Sequence, residues 1–216
     1  MKINTDGVLL AAVASQESPV RILDIGTGTG VIAMMLAQRF PEAFVDAVEI
    51  DPSAAETALK NFEASPFASR LAVHTGDIAA FESAVRYDLI VSNPPFFVND
   101  LKNPSRQKSL ARHAHEDFFS GLIRKVASLL TPAGSFWLIL PVKQAEELVV
   151  QAVLYKLFPA RIIHVHSDAN KPEIRQLICL SFANEAPLHE DFYIYAGQGV
   201  YTDAYVSLLK DFFLAF

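Results

Sequence analysis

From Val20 onward, short β-rich runs alternate with longer helical ones, and this alternation restricts the chain to very few architectures. Val20 to Ile25, Phe44 to Ile50, Leu71 to Thr75 and Tyr87 to Ser92 read as strands. Between them, Val31 to Arg39 has helical spacing and stops before Pro41. Ser53 to Ala64 reads as a helix entered after Pro52 with Ser53 as N-cap, and a short helix is expected at Ala79 to Ala84. A helix from Glu116 to Leu130, closed by Thr131-Pro132-Ala133-Gly134, leads to a strand from Ser135 to Leu140. Lys143 to Leu157 then reads as helix, and Arg161 to His166 and Gln176 to Phe182 as strands joined by a polar stretch. A last strand near Phe192 to Tyr195 and a helix from Thr202 to Phe212 close the chain. Parallel strands need crossovers long enough to hold a helix, so repeated alternation predicts an α/β, doubly wound parallel sheet covered on both faces. Without internal repeat, low-complexity tract or linker, residues 1–216 read as one domain.

Composition supports a packed core. Hydrophobic residues make up 51% and charged residues 19%, too apolar for a disordered chain. No apolar run approaches the roughly 20 residues of a membrane span. Val8 to Ala14 followed by Ser15 imitates a secretion signal, but Asp6 offsets Lys2 in the segment that should be positive. The segment reads instead as a helix capped by Thr5 or Asp6, and the chain as cytoplasmic. The single cysteine, Cys179, lies in an apolar strand and reads as core. His113 and His115 lack partners at metal-ligand spacing, so no metal is expected. His164 and His166 alternate with Ile163 and Val165 and read as exposed-face residues. A net charge of −6 by itself argues against a nucleic-acid partner.

The first strand-to-helix turn is Asp24-Ile25-Gly26-Thr27-Gly28-Thr29-Gly30. Glycines there let the backbone turn tightly and approach a ligand at the carboxyl edge of the sheet. A dinucleotide fingerprint G-x-G-x-x-G fails, because Val31 stands where the third glycine is required after Gly26 and Gly28. The acid two residues before the first glycine suits a ligand with a positive centre and an amino acid tail. Glu49, 19 residues past Gly30 at the end of the second strand, can accept from both hydroxyls of a ribose. Asp77, in Gly76-Asp77-Ile78 after the third strand, is placed to accept from an adenine amino group.

Asn93-Pro94-Pro95-Phe96 leaves the fourth strand at the same edge. Two prolines remove two donors, and Asn93 and Pro94, each preceding a proline, are held out of the helical region. The turn is therefore stiff and presents carbonyl oxygens. The Asn93 side-chain oxygen and the Pro94 carbonyl can accept both N–H bonds of a planar amine, freeing its lone pair, while Phe96 can stack on the ring.

Together, Asp24 to Gly30, Glu49, Asp77-Ile78 and Asn93 to Phe96 resemble the class I S-adenosylmethionine-dependent methyltransferases that act on planar amino nitrogens. The resemblance runs from Thr5 onward. Lys2 to Leu10, Asn93 to Phe97, Ala111-Arg112-His113, Tyr201 to Tyr205 and Phe212-Phe213 narrow it. These are similar to the bacterial tRNA(Val) adenine-N6 methyltransferase family, which modifies the adenine next to the anticodon. The resemblance implies a Rossmann-like, mostly parallel seven-stranded sheet and S-adenosyl-L-methionine as methyl donor without a metal. It implies cofactor contacts from Asp24, Gly26, Gly28, Gly30, Glu49, Asp77 and Ile78, and catalytic contacts from Asn93, Pro94, Pro95 and Phe96. Family members usually carry more residues ahead of Met1-Lys2, and a form lacking an arm that closes over the cofactor or tRNA would bind more weakly.

The implied partner is tRNA, with neither a membrane nor an obligate protein partner. Leu101 to His115 carries Lys102, Arg106, Lys108 and Arg112 and no acid, directly after the Asn-Pro-Pro-Phe turn, so these four are expected at the mouth of the site on RNA phosphates. Lys171 and Arg175 would form a second basic edge. A carboxamide NH₂ fits the same grip, which keeps a glutamine-N5 methyltransferase of a release factor open as an alternative. A guanine-N2 methyltransferase of ribosomal RNA is another, and a catalytically silent S-adenosylmethionine-binding module is disfavoured by the intact Asn93 to Phe96 set. The failed third glycine disfavours an NAD oxidoreductase.

Overall fold

The structure, a computed structural model, describes residues 5–95 and 106–213, and for 106–116 the backbone alone. The first half alternates α1 (Thr5–Val13), β1 (Arg21–Ile25), α2 (Val31–Arg39), β2 (Phe44–Glu49), α3 (Pro52–Ala64), β3 (Leu71–Thr75) and β4 (Tyr87–Ser92). Then come α4 (Arg106–Leu129), β5 (Leu130–Leu140), α5 (Val142–Val153), β6 (Phe158–His166), β7 (Glu173–Ser181) and β8 (Leu188–Tyr193). A small hairpin, β9 (Tyr195–Gly197) with β10 (Val200–Tyr201), precedes α6 (Asp203–Leu209). The main sheet has the order β3-β2-β1-β4-β5-β7-β6-β8. All its neighbours are parallel except β7, which runs antiparallel to β5 and β6. Strand order reverses between β1 and β4, which opens a crevice beyond their carboxyl ends.

Period-two alternation assigns the strand side chains to two cores. On one face Leu89, Val91, Trp137, Ile139, Leu177 and Cys179 pack with α1, α2 and α6. On the other, Ile90, Phe136, Leu138, Ile178 and Leu180 pack with α4 and α5. Cys179 is buried, as expected.

Several elements differ from the sequence reading. Among the described residues the main sheet has eight strands, not the seven that the resemblance implies, and the last strand, expected near Phe192 to Tyr195, starts earlier: β8 pairs with β6 from Arg161↔Leu188 to His166↔Tyr193. This edge strand is Leu-His-Glu-Asp-Phe-Tyr, which lacks the apolar alternation that marks a strand. The expected helix at Ala79 to Ala84 is only a turn, in which Ala80 and Phe81 donate to the Asp77 carbonyl. The N-cap of α3 is Asp51, whose side chain accepts from the Ser53 amide, with Pro52 at the first helical position. Helix α4 begins at Arg106 rather than Glu116. Thr131 to Gly134 ends that helix as expected but lies within β5 as an irregularity, since the register jumps from Tyr87↔Leu130 to Leu89↔Ser135. Helix α5 stops at Val153, and Lys156 takes the left-handed conformation with φ 60°. Thr5 and Asp6 are inside the first turn of α1, and Gly7 to Ala12 are buried, as a core helix requires.

Candidate active site

A cleft of about 490 Å³ opens at the reversal point of the sheet. Its walls come from the ends of four strands: Ile25 to Thr29 after β1, Val48 to Ile50 at β2, Gly76 to Ile78 after β3, and Ser92 to Pro95 after β4. Gly7 and Val8 of α1, Val31 and Ile32 of α2 and Phe118 of α4 complete it.

The glycine loop is shaped by its backbone. Gly26, Gly28 and Gly30 have φ of 72°, 58° and 87°. The amides of Gly26 and Thr27 both donate to the Val48 carbonyl, at 2.8 and 3.2 Å, which ties the loop to β2. The Gly28 amide donates to Glu49 Oε2 at 2.7 Å, and the Asp51 amide to Glu49 Oε1 at 2.9 Å. Each oxygen of this buried carboxylate thus holds one backbone N–H. From α3, Asn61 Nδ2 donates to the Thr29 carbonyl at 2.8 Å.

Two residues expected on the cofactor stand behind this wall. Gly30 does not face the cleft; a Cβ there would lie 2.4 Å from Cε1 of the buried Phe62 ring. Asp24 is completely buried beneath the loop, where Thr27 Oγ1 donates to its Oδ2 at 2.6 Å. Its Oδ1 is buried without a hydrogen-bond partner among the described residues. Burial pushes the Asp24 carboxyl up to about 7, against the pull of the Thr27 hydroxyl and the Ala33 backbone, with Glu49 adding to the rise. Because the folded state holds this proton more tightly than the unfolded chain, the associated stability is full below about pH 4. It is lost as pH rises through about 7. The melting temperature of the wild type relative to Asp24→Asn should therefore fall between about pH 5 and pH 7 and level off above. A constant difference across that range would contradict the assignment.

Asp77 is exposed at the rim of the cleft and its Oδ1 accepts from the Ala79 amide at 2.9 Å. Ile78 also lines the cleft, as does Ile50, which is 67% exposed. Asn93, Pro94 and Pro95 are all on the wall. Ser92, just before them, is buried and donates from Oγ to the Ile25 carbonyl at 3.0 Å, joining the ends of β4 and β1. Phe96 and Lys102 lie outside the described residues, as do the side chains of Arg106, Lys108, Arg112, His113 and His115. Arg106, Lys108 and Arg112 belong to helix α4, ahead of the Glu116 start expected for it.

The second basic edge does not form as two unpaired cations. Lys171 pairs with Asp168 at 3.2 Å, and Arg175 Nε donates to Asp6 Oδ2 at 2.9 Å. His164 contacts Glu173 and His189, and His166 contacts Asp191 and the Lys171 carbonyl, on the partly exposed face of β6. Among the described residues no group of three or more His, Cys, Asp or Glu could hold a metal ion, and no helix is long and apolar enough to cross a membrane.

Sequence reasoning missed Gly7, Val8, Ile50, Ser92 and Phe118 in the wall. An apolar residue directly after the strand-end acid is a usable signal for Ile50, and Ser92 is marked by its place just before the Asn-Pro-Pro turn. Gly7, Val8 and Phe118 carry no polar signature.

Fold and cleft define a Rossmann-like methyltransferase architecture. A predicted O-methyltransferase from Agrobacterium tumefaciens superposes with a TM-score of 0.76 at 20% identity, covering 95% of this chain and 96% of that one. A TehB-like S-adenosylmethionine-dependent methyltransferase from Corynebacterium glutamicum gives 0.56 at 17% identity, covering 82% and 88%. A relative in Pedobacter heparinus, named tRNA1(Val) (adenine(37)-N6)-methyltransferase, is 58% identical across 100% of this chain and 92% of its own length. One of the same name in Bacteroides thetaiotaomicron is 39% identical over 99% and 91%. Residues 3–160 match the methyltransferase small domain family, and the chain belongs to that family, in the branch of these tRNA1(Val) (adenine(37)-N6)-methyltransferases.

Proposed function

We propose that this protein is a cytoplasmic enzyme that methylates the N6 amine of the adenine at position 37 of valine tRNA, with S-adenosylmethionine as donor. The observation that carries the reading is the meeting of the Asn93-Pro94-Pro95 turn, the glycine loop and Glu49 on one cleft wall. The names of full-length relatives support adenine over a glutamine side chain or a guanine.

The residues present suit that donor. A cleft of about 490 Å³ is within the range of small-molecule sites. A carboxylate has about four acceptor positions, so Glu49 can take two ribose hydroxyls while keeping its two backbone donors. Ile50 and Ile78 offer apolar faces to a flat ring, with the exposed Asp77 carboxylate beside them for its amino group. Gly26 and Gly28 bring the backbone close to the ligand's tail. Asp24 acts from beneath: it orients Thr27 and, once ionised, places negative charge under a cationic ligand.

Bound there, S-adenosylmethionine supplies a methyl group already activated by its sulfonium charge. The chain's own work is to hold the amine. The Asn93 side-chain oxygen and the Pro94 carbonyl accept its two N–H bonds, aim the lone pair into the cleft, and stabilise the positive charge that develops on nitrogen. The released proton passes along these acceptors to water. Phe96 stacks on the adenine, which has to leave its own stack at a cost of a few kcal/mol.

Lys102, Arg106, Lys108 and Arg112 provide phosphate contacts that the net charge of −6 conceals. Replacing Lys102, Arg106 and Lys108 together should weaken RNA binding and flatten the slope of log K against log salt by about 2. An unaltered slope places the RNA elsewhere. The function itself is tested by supplying labelled S-adenosylmethionine with total RNA and, separately, total protein from cells lacking the enzyme. Label should enter small RNA; label in protein would replace this reading by the glutamine one.

A further inference from the structure

Helix α1 contributes Gly7 and Val8 to the cleft, and its two ends are held differently. At the carboxyl end, Arg39 Nη1 donates to the carbonyls of Ala11 and Ala14, both at 2.6 Å. Just beyond, Trp137 Nε1 and Ser135 Oγ donate to the Ser15 carbonyl at 3.0 and 3.3 Å, and Gln16 Nε2 to the Ala133 carbonyl at 3.0 Å. These ties anchor α1 to α2 and β5.

At the amino end the tie crosses 169 positions of sequence: Arg175 Nε donates to Asp6 Oδ2 at 2.9 Å. Arg175 is on β7, and because β7 runs antiparallel its first residues lie at the same sheet edge as the carboxyl ends of the parallel strands. Its Nη1 also donates to the Ile174 carbonyl at 2.8 Å, which fixes the direction of the guanidinium. The two side chains are 27% and 18% exposed, so the pair is a charge-assisted bond partly removed from solvent screening. Asp6 immediately precedes Gly7 and Val8, so whatever holds Asp6 also sets where these two residues stand.

We infer that Arg175 is a positioning residue for the cofactor cleft: by holding Asp6 it keeps the first turn of α1 against the wall. The inference rests on the reading of the cleft as an S-adenosylmethionine site. It gives β7, two strands away from β4 in the sheet, an influence on cofactor affinity exerted through Asp6.

The test is a double-mutant cycle with Arg175→Gln, Asp6→Asn and both together, with Arg175→Lys as a variant that keeps the charge. Affinity for S-adenosylmethionine is measured by calorimetry without RNA, below the melting temperature of every variant. Each single change should weaken binding by about three- to tenfold, the double should be no weaker than either single, and Arg175→Lys should recover part of the loss. In turnover, KM for S-adenosylmethionine should rise by the same factor while kcat at saturation stays within about twofold. Wild-type affinity in both single variants, or losses that add in the double, would overturn the inference. Absence of binding by the wild type would instead defeat the reading of the cleft.

Discussion

Asn93→Ala is expected to lower single-turnover methyl transfer to tRNA by about a hundred- to a thousandfold, with S-adenosylmethionine affinity unchanged within about twofold. The size follows from the task. A positioned acceptor aimed at charge that develops only in the transition state contributes to rate and hardly to ground-state binding. Asn93 stands on the cleft wall directly after β4, one residue from the Ser92–Ile25 bond that locks the strand ends, so its position survives loss of the side chain. Calorimetry and rapid-mix transfer measured on the same preparation separate the two quantities. Undiminished transfer would remove Asn93 from the chemistry and leave Asn-Pro-Pro as a turn. Parallel loss of rate and cofactor affinity would make it a cofactor contact instead.

Gly30→Ala should be more destabilising than Gly26→Ala, on the order of 2–5 kcal/mol. A left-handed φ costs about 1–2 kcal/mol in a residue with a Cβ, and overpacking a closed site adds about 1–3. At Gly30 both apply: φ is 87°, and the new carbon would meet Phe62 at 2.4 Å. Phe62 is buried, so its ring cannot swing out to solvent. At Gly26 a Cβ meets nothing within 4 Å, and only the φ of 72° counts against it. Melting temperatures should therefore order as wild type, Gly26→Ala, Gly30→Ala, with the last lower by on the order of 10 °C. Equal losses at the two positions would mean that Phe62 does not set the requirement at Gly30.

That pair of glycines illustrates what sequence reading can resolve. The Asp24 to Gly30 motif located the loop, but spacing does not tell which residues face the ligand and which face the core. Asp24 and Gly30 turn out to support the loop from behind, and only packing against Thr27 and Phe62 reveals it. Strands β1 to β5 were legible because each is a β-branched or aromatic run closed by glycine, proline or a polar turn. The amino-terminal half of α4 was not. Arg106 to His115 lacks an apolar stripe, and a helix without one is invisible to periodicity. Edge strand β8 was legible only at its end, near Phe192 to Tyr195, because its first residues are solvated and carry charges such as Glu190, paired with Arg161 at 2.7 Å. Gly7 and Phe118 entered the cleft wall through tertiary packing, from helices whose sequences resemble any buried helix. The ion pair of Asp6 with Arg175 lay beyond any local signal, and it turned an expected RNA-facing cation into an internal tie.

Purified, unmodified valine tRNA, incubated with the protein and labelled S-adenosylmethionine, shows whether adenine 37 is the target. The product is then digested and the modified nucleoside located by mass analysis. About one methyl group per tRNA should be recovered as N6-methyladenosine from the fragment containing position 37, with no transfer to the same tRNA carrying guanosine at that position. Label at another nucleoside, or equal transfer to the substituted tRNA, would show that adenine 37 is not the target.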